Sequence, residues 1–334
     1  MTISINDTRA YHRGGRASLG WEQTISESLR DLNSSYFVAL EKKETYGNIL
    51  LRFFEKRDIF QDGRPCNVLE VGGGYGSIAA DLLRCNQNIS ITMVDISPVF
   101  LDRQKERTSP FVGRVSFVLS DVFDYFESCG EFDLIIANEI IGDLPALVEI
   151  PRTALVDFLS GEKIEAETTR EEVAHLKLAR KFLNEVGPIV DDFPEIIHLN
   201  TGALRFIKSA IKKARALWIS EHSSDYDIPE VMKGVFRDVR QDRWPKKVRL
   251  FGHDEVTIRF GHLKRFLERE EIPYECGLFM DFLGVRTDEE VRRILLTKSI
   301  ANETHEIIGE FLNHVMEYQW LFINRENHNP PQRW

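Results

Sequence analysis

The sequence predicts a doubly wound α/β fold built around a mostly parallel sheet. Short apolar runs at 67–71, 89–94, 115–119 and 132–137 are separated by segments with helical periodicity. Strands that alternate with helices in this way are typical of βαβ units, whose strands are parallel. A glycine-rich segment directly follows the first run. Together these observations predict a Rossmann-like sheet with helices on both of its faces.

Three further strands bring the expected sheet to seven. ALWIS (216–220) reads as the fifth strand, and YECGLF (274–279) and YQWLFIN (318–324) read as the last two. An amphipathic pattern predicts a helix over residues 256–270, and another helical stretch is expected between residues 287 and 315.

The chain divides into an N-terminal helical segment (1–62) and a larger α/β domain (63–334). Apolar residues recur at three- and four-residue steps from Trp21 to Phe60, whereas residues 1–20 are polar and are expected to be mobile. After the fourth strand, a helical insertion at 145–213 is expected to form a lid.

Composition excludes several classes of protein. The 334 residues are 43% hydrophobic, which is enough for a sizeable core. The 53 acidic residues outnumber the 43 Lys and Arg residues, and a net charge of -10 argues against a nucleic-acid partner. No apolar run reaches the roughly 18 residues that a membrane span needs. The N-terminus lacks the apolar core of a signal peptide, so a cytoplasmic location is expected.

The glycine-rich segment EVGGGYG (70–76) lies between a predicted strand and a predicted helix. A ligand at the carboxyl end of a parallel sheet must approach the backbone closely, and side chains in this turn would block it. The candidate cofactor-binding residues of the loop are Glu70, Gly72, Gly73, Gly74, Tyr75 and Gly76.

The glycine spacing favours S-adenosylmethionine over a dinucleotide. A dinucleotide-binding turn has the spacing GxGxxG, but Ser77 occupies the position of its third glycine. The spacing acid-x-Gly-x-Gly-x-Gly is complete from Glu70 to Gly76 and resembles the first motif of class I methyltransferases. A nicotinamide or flavin dinucleotide, or a glycine turn without a ligand, are the alternatives.

Acidic residues at the ends of the next two strands support a nucleoside ligand. Asp95, followed by Ile96, ends the second strand, where a carboxylate can accept hydrogen bonds from both ribose hydroxyls. Asp121, followed by Val122, comes after the third strand. In class I methyltransferases, the residue at this position faces the adenine amino group of the cofactor. Asp121 as a helix N-cap is the alternative interpretation.

Several segments of the chain resemble the MidA-like methyltransferases, which include the mitochondrial complex I assembly methyltransferase. The matching segments are VLEVGGGYGSIAADLLR, VDISPVFLDRQKER and IIANEIIGDLPAL, with a fainter match over 251–283. The resemblance is good for residues 67–147 and faint for 200–324. It implies a class I fold, S-adenosylmethionine as the cofactor, and a protein or peptide nitrogen as one candidate methyl acceptor.

The reaction centre is expected beside the end of the fourth strand. Asn138 is expected near the cofactor, and Glu139 and Asp143 could hold an amine or guanidinium and take up its proton. Alternatively, Glu139 and Asp143 cap the following helix. His222, after the fifth strand, is the third catalytic candidate, although a lone histidine there is more often structural.

The nine histidines show no HxxxH or HExxH spacing, so the sequence predicts no metal site. The expected function is methyl transfer to a nitrogen or oxygen atom, either of a protein side chain or of a small molecule. An NAD(P)-dependent oxidoreductase and a non-catalytic assembly factor are the alternatives. A homodimer is also kept as an expectation.

Overall fold

The computed structural model describes residues 3–14, 24–61, 63–161, 169–187, 193–227, 243–250, 252–297, 301–326 and 332–333. The expectations for residues 15–20 and for Trp21 lie outside these ranges. The division of the chain at residues 62 and 63 stays a prediction.

The strands of the described residues belong to three sheets. In chain order they are β1 Ser4–Asn6, β2 Cys66–Val71, β3 Ile89–Asp95, β4 Val115–Leu119, β5 Phe132–Asn138, β6 Ala146–Pro151, β7 Ile196–Leu199, β8 Ala214–His222, β9 Lys247–Arg249, β10 Asp254–Val256, β11 Tyr274–Leu278, β12 Tyr318–Asn324 and β13 Gln332–Arg333.

The described residues also form fourteen α-helices. They are α1 Arg9–Arg13, α2 Ile25–Ser28, α3 Ser35–Ala39, α4 Tyr46–Glu55, α5 Ser77–Cys85, α6 Pro98–Thr108, α7 Val122–Ser128, α8 Arg152–Ser160, α9 Arg170–Val186, α10 Thr201–Lys213, α11 Phe260–Arg269, α12 Phe279–Leu283, α13 Glu289–Thr297 and α14 Glu303–Val315. Within the described ranges, no helix combines the length and the apolar character needed to cross a membrane.

The largest sheet has the strand order β4-β3-β2-β5-β8-β12-β11, with the short β13 beside β11. The first five of these strands are parallel, whereas β12 runs antiparallel to both of its neighbours. The predicted seven-stranded, mostly parallel sheet is therefore confirmed. The strand order reverses at β2, with β3 on one side and β5 on the other. Ligands of open α/β sheets bind in the crevice beyond such a reversal.

The central strands are apolar without a break because both faces of the sheet are covered. In β5, Leu134 and Ile136 belong to the core on one face, while Ile135 and Ala137 belong to the core on the other. All four side chains are fully buried. A strand buried on both sides shows a continuous apolar run rather than alternation, which is the pattern that the sequence displays.

The insertion after β5 is only partly helical, which corrects the expectation for residues 145–213. The apolar runs ALVEIP and IIHL form β6 and β7, which pair antiparallel in a separate small sheet. The N-terminal β1 completes this sheet by pairing with β6. Residues 3–14 thus form a strand and a helix where a mobile segment was expected. Their short length gave no periodic signal.

The predicted helix over 256–270 begins later than expected. Residues Asp254–Val256 form β10, which pairs with β9 in a hairpin, and the helix α11 starts at Phe260. The intervening Thr257 and Ile258 are β-branched, like Val256, and β-branched residues favour extended backbone. His253 therefore lies in the turn of a hairpin.

Candidate active site at the carboxyl edge of the sheet

The loop between β2 and α5 adopts a backbone that suits glycine. Gly72 and Gly74 have φ angles of +62° and +51°, in the left-handed region that side chains disfavour. A Cβ atom on Gly72 would also lie 2.6 Å from Cγ2 of Ile140. Gly72, Gly73 and Gly74 border a cavity at this edge of the sheet, and the close packing at Gly72 leaves no room for a side chain there.

Glu70 places a buried carboxylate under this loop. The residue is 2% exposed, and Oε2 has no hydrogen-bond partner among the described residues. Burial, and then the charge of Asp95, raise the pKa of Glu70 to about 8. An unsatisfied buried carboxylate oxygen is costly, so a cationic or hydrogen-bond-donating group of a ligand would stabilise it.

Asp95 ends β3 and borders the same cavity. Its Oδ1 accepts a hydrogen bond from the Ser97 amide at 2.8 Å, and its Oδ2 accepts one from Nε2 of Gln104 at 2.9 Å. Burial raises the pKa of Asp95 to about 6, although these hydrogen bonds favour the charged form. The carboxylate is thereby held in one orientation at the cavity wall.

Asp121 has two partners. It is the N-cap of α7, where Oδ1 accepts a hydrogen bond from the Phe123 amide at 2.8 Å. Its Oδ2 lies 3.6 Å from Nη1 of Arg9. Asp121 therefore performs the capping role considered from the sequence, and it also borders the cavity. Val122 and Ile96 border the cavity too.

The N-terminal segment supplies a wall of the cavity that sequence reasoning missed. Its side chains come from α1 and α2 and from the residues directly before these helices. The residues concerned are Thr8, Arg9, Tyr11, His12, Thr24 and Ser26. The only sequence signal was the short polar run itself, which carried no periodicity.

Asn138 and Glu139 form the floor of the cavity beyond β5. Asn138 Oδ1 accepts hydrogen bonds from the Tyr46 hydroxyl at 2.6 Å and from the Ser220 hydroxyl at 2.5 Å. Its Nδ2 donates to Oε1 of Glu139 at 2.8 Å. Asn138 therefore fixes the carboxylate beside it.

Glu139 receives a second hydrogen bond from the amide of Ile25, the first residue of α2, at 3.1 Å. Its backbone has a φ of +54°, in the left-handed region. Burial raises the pKa of its carboxyl to about 7, although these hydrogen bonds act in the opposite direction. A carboxyl group that titrates near neutral pH is suited to accept a proton from a substrate.

Asp143 faces two histidines from distant parts of the chain. Its Oδ1 lies 3.2 Å from Nε2 of His12 and 3.4 Å from Nε2 of His253. Oε1 of Glu255 lies 3.4 Å from the same nitrogen of His253. No helix follows the loop that carries Asp143 and Glu139, because the next element is β6. The alternative in which they cap a following helix is therefore wrong.

Three predicted site residues do not border the cavity. His222 lies at the end of β8, where Nε2 pairs with Oε2 of Glu317 and the ring stacks on Tyr318. Tyr75 packs edge-on against Phe100, with ring centroids 5.9 Å apart. Gly76 begins α5 as its N-cap. Glu70, Gly72, Gly73, Gly74, Asp95, Ile96, Asp121, Val122, Asn138, Glu139 and Asp143 do border it.

Part of the chain matches a known family of domains. Residues 68–152, which contain the glycine loop, Asp95, Asp121 and Glu139, match a family model described as a methyltransferase domain. This segment is therefore similar to the methyltransferase class of domains. The resemblance to the MidA-like group is confirmed at the level of this class.

Curated relatives carry related names. A release factor glutamine methyltransferase from Rhodopirellula baltica is 27% identical over 183 residues, covering 52% of this chain and 60% of that protein. A malonyl-[acyl-carrier protein] O-methyltransferase from Ilyobacter polytropus is 29% identical over 111 residues, covering 32% of this chain and 40% of that protein. The matches thus span less than two thirds of either relative.

Among solved structures, an uncharacterized superfamily protein from Burkholderia thailandensis is similar over nearly the whole chain. The TM-score is 0.53 at 14% identity, and the alignment covers 98% of this chain and 89% of that one. This likeness concerns the fold.

Proposed function

We propose that this chain transfers a methyl group from S-adenosylmethionine to a nitrogen or oxygen atom of an acceptor, with Glu139 as the general base. The observation that carries the proposal is the position of Glu139. Its carboxylate borders the same cavity as the glycine loop and Asp95, and its pKa is about 7. A carboxylate in this position can take the acceptor's proton as the new bond forms.

The residues of the cavity fit the cofactor. Glu70 Oε2, buried and without a hydrogen-bond partner among the described residues, suits the cationic amino group of the methionine part. Asp95 would accept hydrogen bonds from the ribose, and Asp121 would face the adenine. The bound cofactor supplies a methyl group attached to a positively charged sulfur, which a nucleophile can attack in line.

The acceptor side of the cavity is acidic. Glu139 and Glu255 both border it, so a neutral or cationic nucleophile would be favoured over an anionic one. Asn138 orients Glu139 through the 2.8 Å hydrogen bond. We assign proton uptake to Glu139 and not to Asp143, because two histidines already contact the Asp143 carboxylate. His222, which does not border the cavity, has no part in this proposal.

The first acceptor class to test is a protein or peptide side chain, with small molecules as the alternative. The names of the curated relatives include one protein glutamine and one acyl group as targets. A homodimer and a cytoplasmic location stay predictions, which sedimentation velocity and cell fractionation can test.

Calorimetry with the full chain tests the cofactor directly. We expect S-adenosylhomocysteine to bind with a dissociation constant in the micromolar range, which corresponds to a binding free energy of about -8 kcal/mol. NADH should give no measurable heat. Tighter binding of NADH would overturn the proposal. Transfer of a radiolabelled methyl group to a panel of peptides, proteins and small amines then identifies the acceptor class. If binding occurs but no acceptor of any class is labelled, the catalytic part is rejected.

A further inference from the structure

Three side chains from distant parts of the chain meet at one edge of the cavity. His12 lies on α1, Asp143 lies in the loop after β5, and His253 lies in the turn between β9 and β10. One ligand atom from each lies within 4.8 Å of the other two. The sequence separation of these residues explains why no ligand spacing was visible in the sequence.

Two distances within this group match those between atoms bound to one metal ion. Asp143 Oδ1 lies 3.2 Å from His12 Nε2 and 3.4 Å from His253 Nε2. Ligand atoms about 2.1 Å from a common metal ion lie roughly 3.0 Å apart in octahedral geometry and roughly 3.4 Å apart in tetrahedral geometry. Both contacts fall within or near this range.

Two of the three ligand atoms are also buried without a well-formed hydrogen bond. Nε2 of His12 and Oδ1 of Asp143 are shielded from solvent and make no hydrogen bond with suitable geometry among the described residues. The side chain of His253 is 4% exposed. Buried polar atoms that lack a well-formed hydrogen bond are unfavourable, and a cation among them would stabilise them.

Charge and chemistry favour a transition metal in this position. The carboxylates of Asp143 and Glu255 both lie within 3.4 Å of His253 Nε2, and together they favour positive charge between them. Two imidazoles with one or two carboxylates are a ligand set suited to zinc, iron or cobalt rather than to magnesium or calcium, which prefer oxygen ligands alone.

We propose that His12, Asp143 and His253 bind one divalent first-row transition-metal ion, with Glu255 within reach as a further oxygen ligand. The ion would connect α1 to the loop after β5 and to the β9–β10 hairpin, and so would fix the N-terminal wall against the sheet. It would also place a positive charge at the acceptor end of the cavity. The proposal depends only on this cluster, and not on the proposed methyl transfer.

Metal binding to the chelator-treated full chain tests the proposal. We expect one Zn²⁺ per chain by calorimetry and elemental analysis, with a dissociation constant in the micromolar range or lower. Co²⁺ should give a visible absorption spectrum typical of nitrogen and oxygen ligands. His12→Gln, Asp143→Asn and His253→Gln should each weaken Zn²⁺ binding at least tenfold.

His305→Gln is the matched control. His305 Nε2 also lies near a carboxylate, 3.5 Å from Oε1 of Glu290, but it is not part of this cluster. The control variant should bind Zn²⁺ as the wild type does. Circular dichroism checks that each variant is folded, and the Co²⁺ spectrum of the unmodified chain tests the ligand set without any substitution.

Two outcomes would overturn the proposal. One is the absence of stoichiometric Zn²⁺ or Co²⁺ binding by the wild type, in which case the cluster is a pair of protonated histidines held by carboxylates. The other is binding that none of the three substitutions weakens. The affinity of the metal-free chain for S-adenosylhomocysteine, measured in the presence of chelator, separates these outcomes from a failure of the proposed function.

Discussion

Gln104 connects Asp95 to the glycine loop. Its Nε2 donates a hydrogen bond to Oδ2 of Asp95 at 2.9 Å and another to the carbonyl oxygen of Gly74 at 3.1 Å. Gln104 is fully buried and does not border the cavity. Through this one amide, the carboxylate at the end of β3 and the turn after β2 are held at a fixed separation.

Replacing Gln104 should therefore weaken cofactor binding without removing a ligand contact. We expect Gln104→Leu to lower the affinity for S-adenosylhomocysteine about tenfold or more, since a lost hydrogen bond to a charged group is worth roughly 1.5–3 kcal/mol. Calorimetry measures the effect. Thr108→Val is the control, because the Thr108 hydroxyl donates to the Gln104 carbonyl on the same helix but contacts neither Asp95 nor Gly74. Equal losses of affinity in the two variants would show that the effect comes from a less stable helix and not from the hydrogen bonds of Gln104.

Gly74 should not tolerate a side chain if the loop borders the cofactor. Its φ of +51° and its place in the cavity wall mean that Gly74→Val adds both backbone strain and bulk. We expect S-adenosylhomocysteine binding to fall below detection in calorimetry. Gly113→Val controls for strain, because Gly113 has a φ of +85° and a Cβ atom added there would meet nothing within 4 Å. Normal binding by a folded Gly74→Val protein would refute our placement of the loop.

The sequence could predict the residues that follow parallel strands, but not those that arrive through non-local pairing. Glu70, Asp95 and Glu139 each lie at the carboxyl end of a strand, and parallel strands bring these ends to one edge. His12 reaches the same edge only because the three-residue β1 pairs with β6. So short a strand has no detectable periodicity.

The hairpin that carries His253 could not be predicted from the sequence for a related reason. The segment at 256–270 has a strong helical pattern, and this pattern masked the extended residues before it. The mutual approach of His12 and His253 depends on two short strands, β1 and β10, neither of which was predicted from the sequence. Strands of three residues are too short for a periodic pattern, and their pairing with other strands is a tertiary contact.

Cofactor affinity should depend on the protonation of Glu70. The pKa of this buried carboxyl is raised to about 8, so it is largely protonated at pH 6.5 and becomes anionic as the pH rises through 8. Because the anion would pair with the cationic amino group of the ligand, affinity for S-adenosylhomocysteine should increase over this range. Calorimetry in buffers of different ionisation enthalpy should also detect proton release on binding near pH 7.

Glu70→Gln provides the comparison. Glutamine keeps the size of the side chain but cannot ionise, so the affinity of this variant should be lower at pH 8.5 and nearly independent of pH. If the wild type and the variant show the same pH dependence, another group controls binding. Circular dichroism at each pH excludes unfolding as the cause.

The reaction itself should depend on Glu139. Its carboxyl group has a pKa of about 7 and borders the cavity, so the fraction of anionic base grows as the pH rises through 7. The single-turnover rate of methyl transfer should therefore rise with pH and reach a plateau above about 8. This profile requires an acceptor that carries a proton when it binds.

Glu139→Gln should slow methyl transfer by about 100-fold or more, which is the size of effect expected when a general base is lost. It should also abolish the rise of the rate near pH 7. Cofactor affinity should change little, because glutamine still accepts the hydrogen bond that the Ile25 amide now gives to Glu139. Glu131→Gln is the matched control, since Glu131 is exposed and lies just before the opposite end of the same strand. If Glu139 only holds α2 in place, the substitution will lower the melting temperature and leave the rate per folded molecule unchanged. That result would reject Glu139 as the base while leaving the proposed cofactor site intact, because the residues that we propose to bind S-adenosylhomocysteine lie on β2, in the loop after β2, on β3 and in the loop after β4.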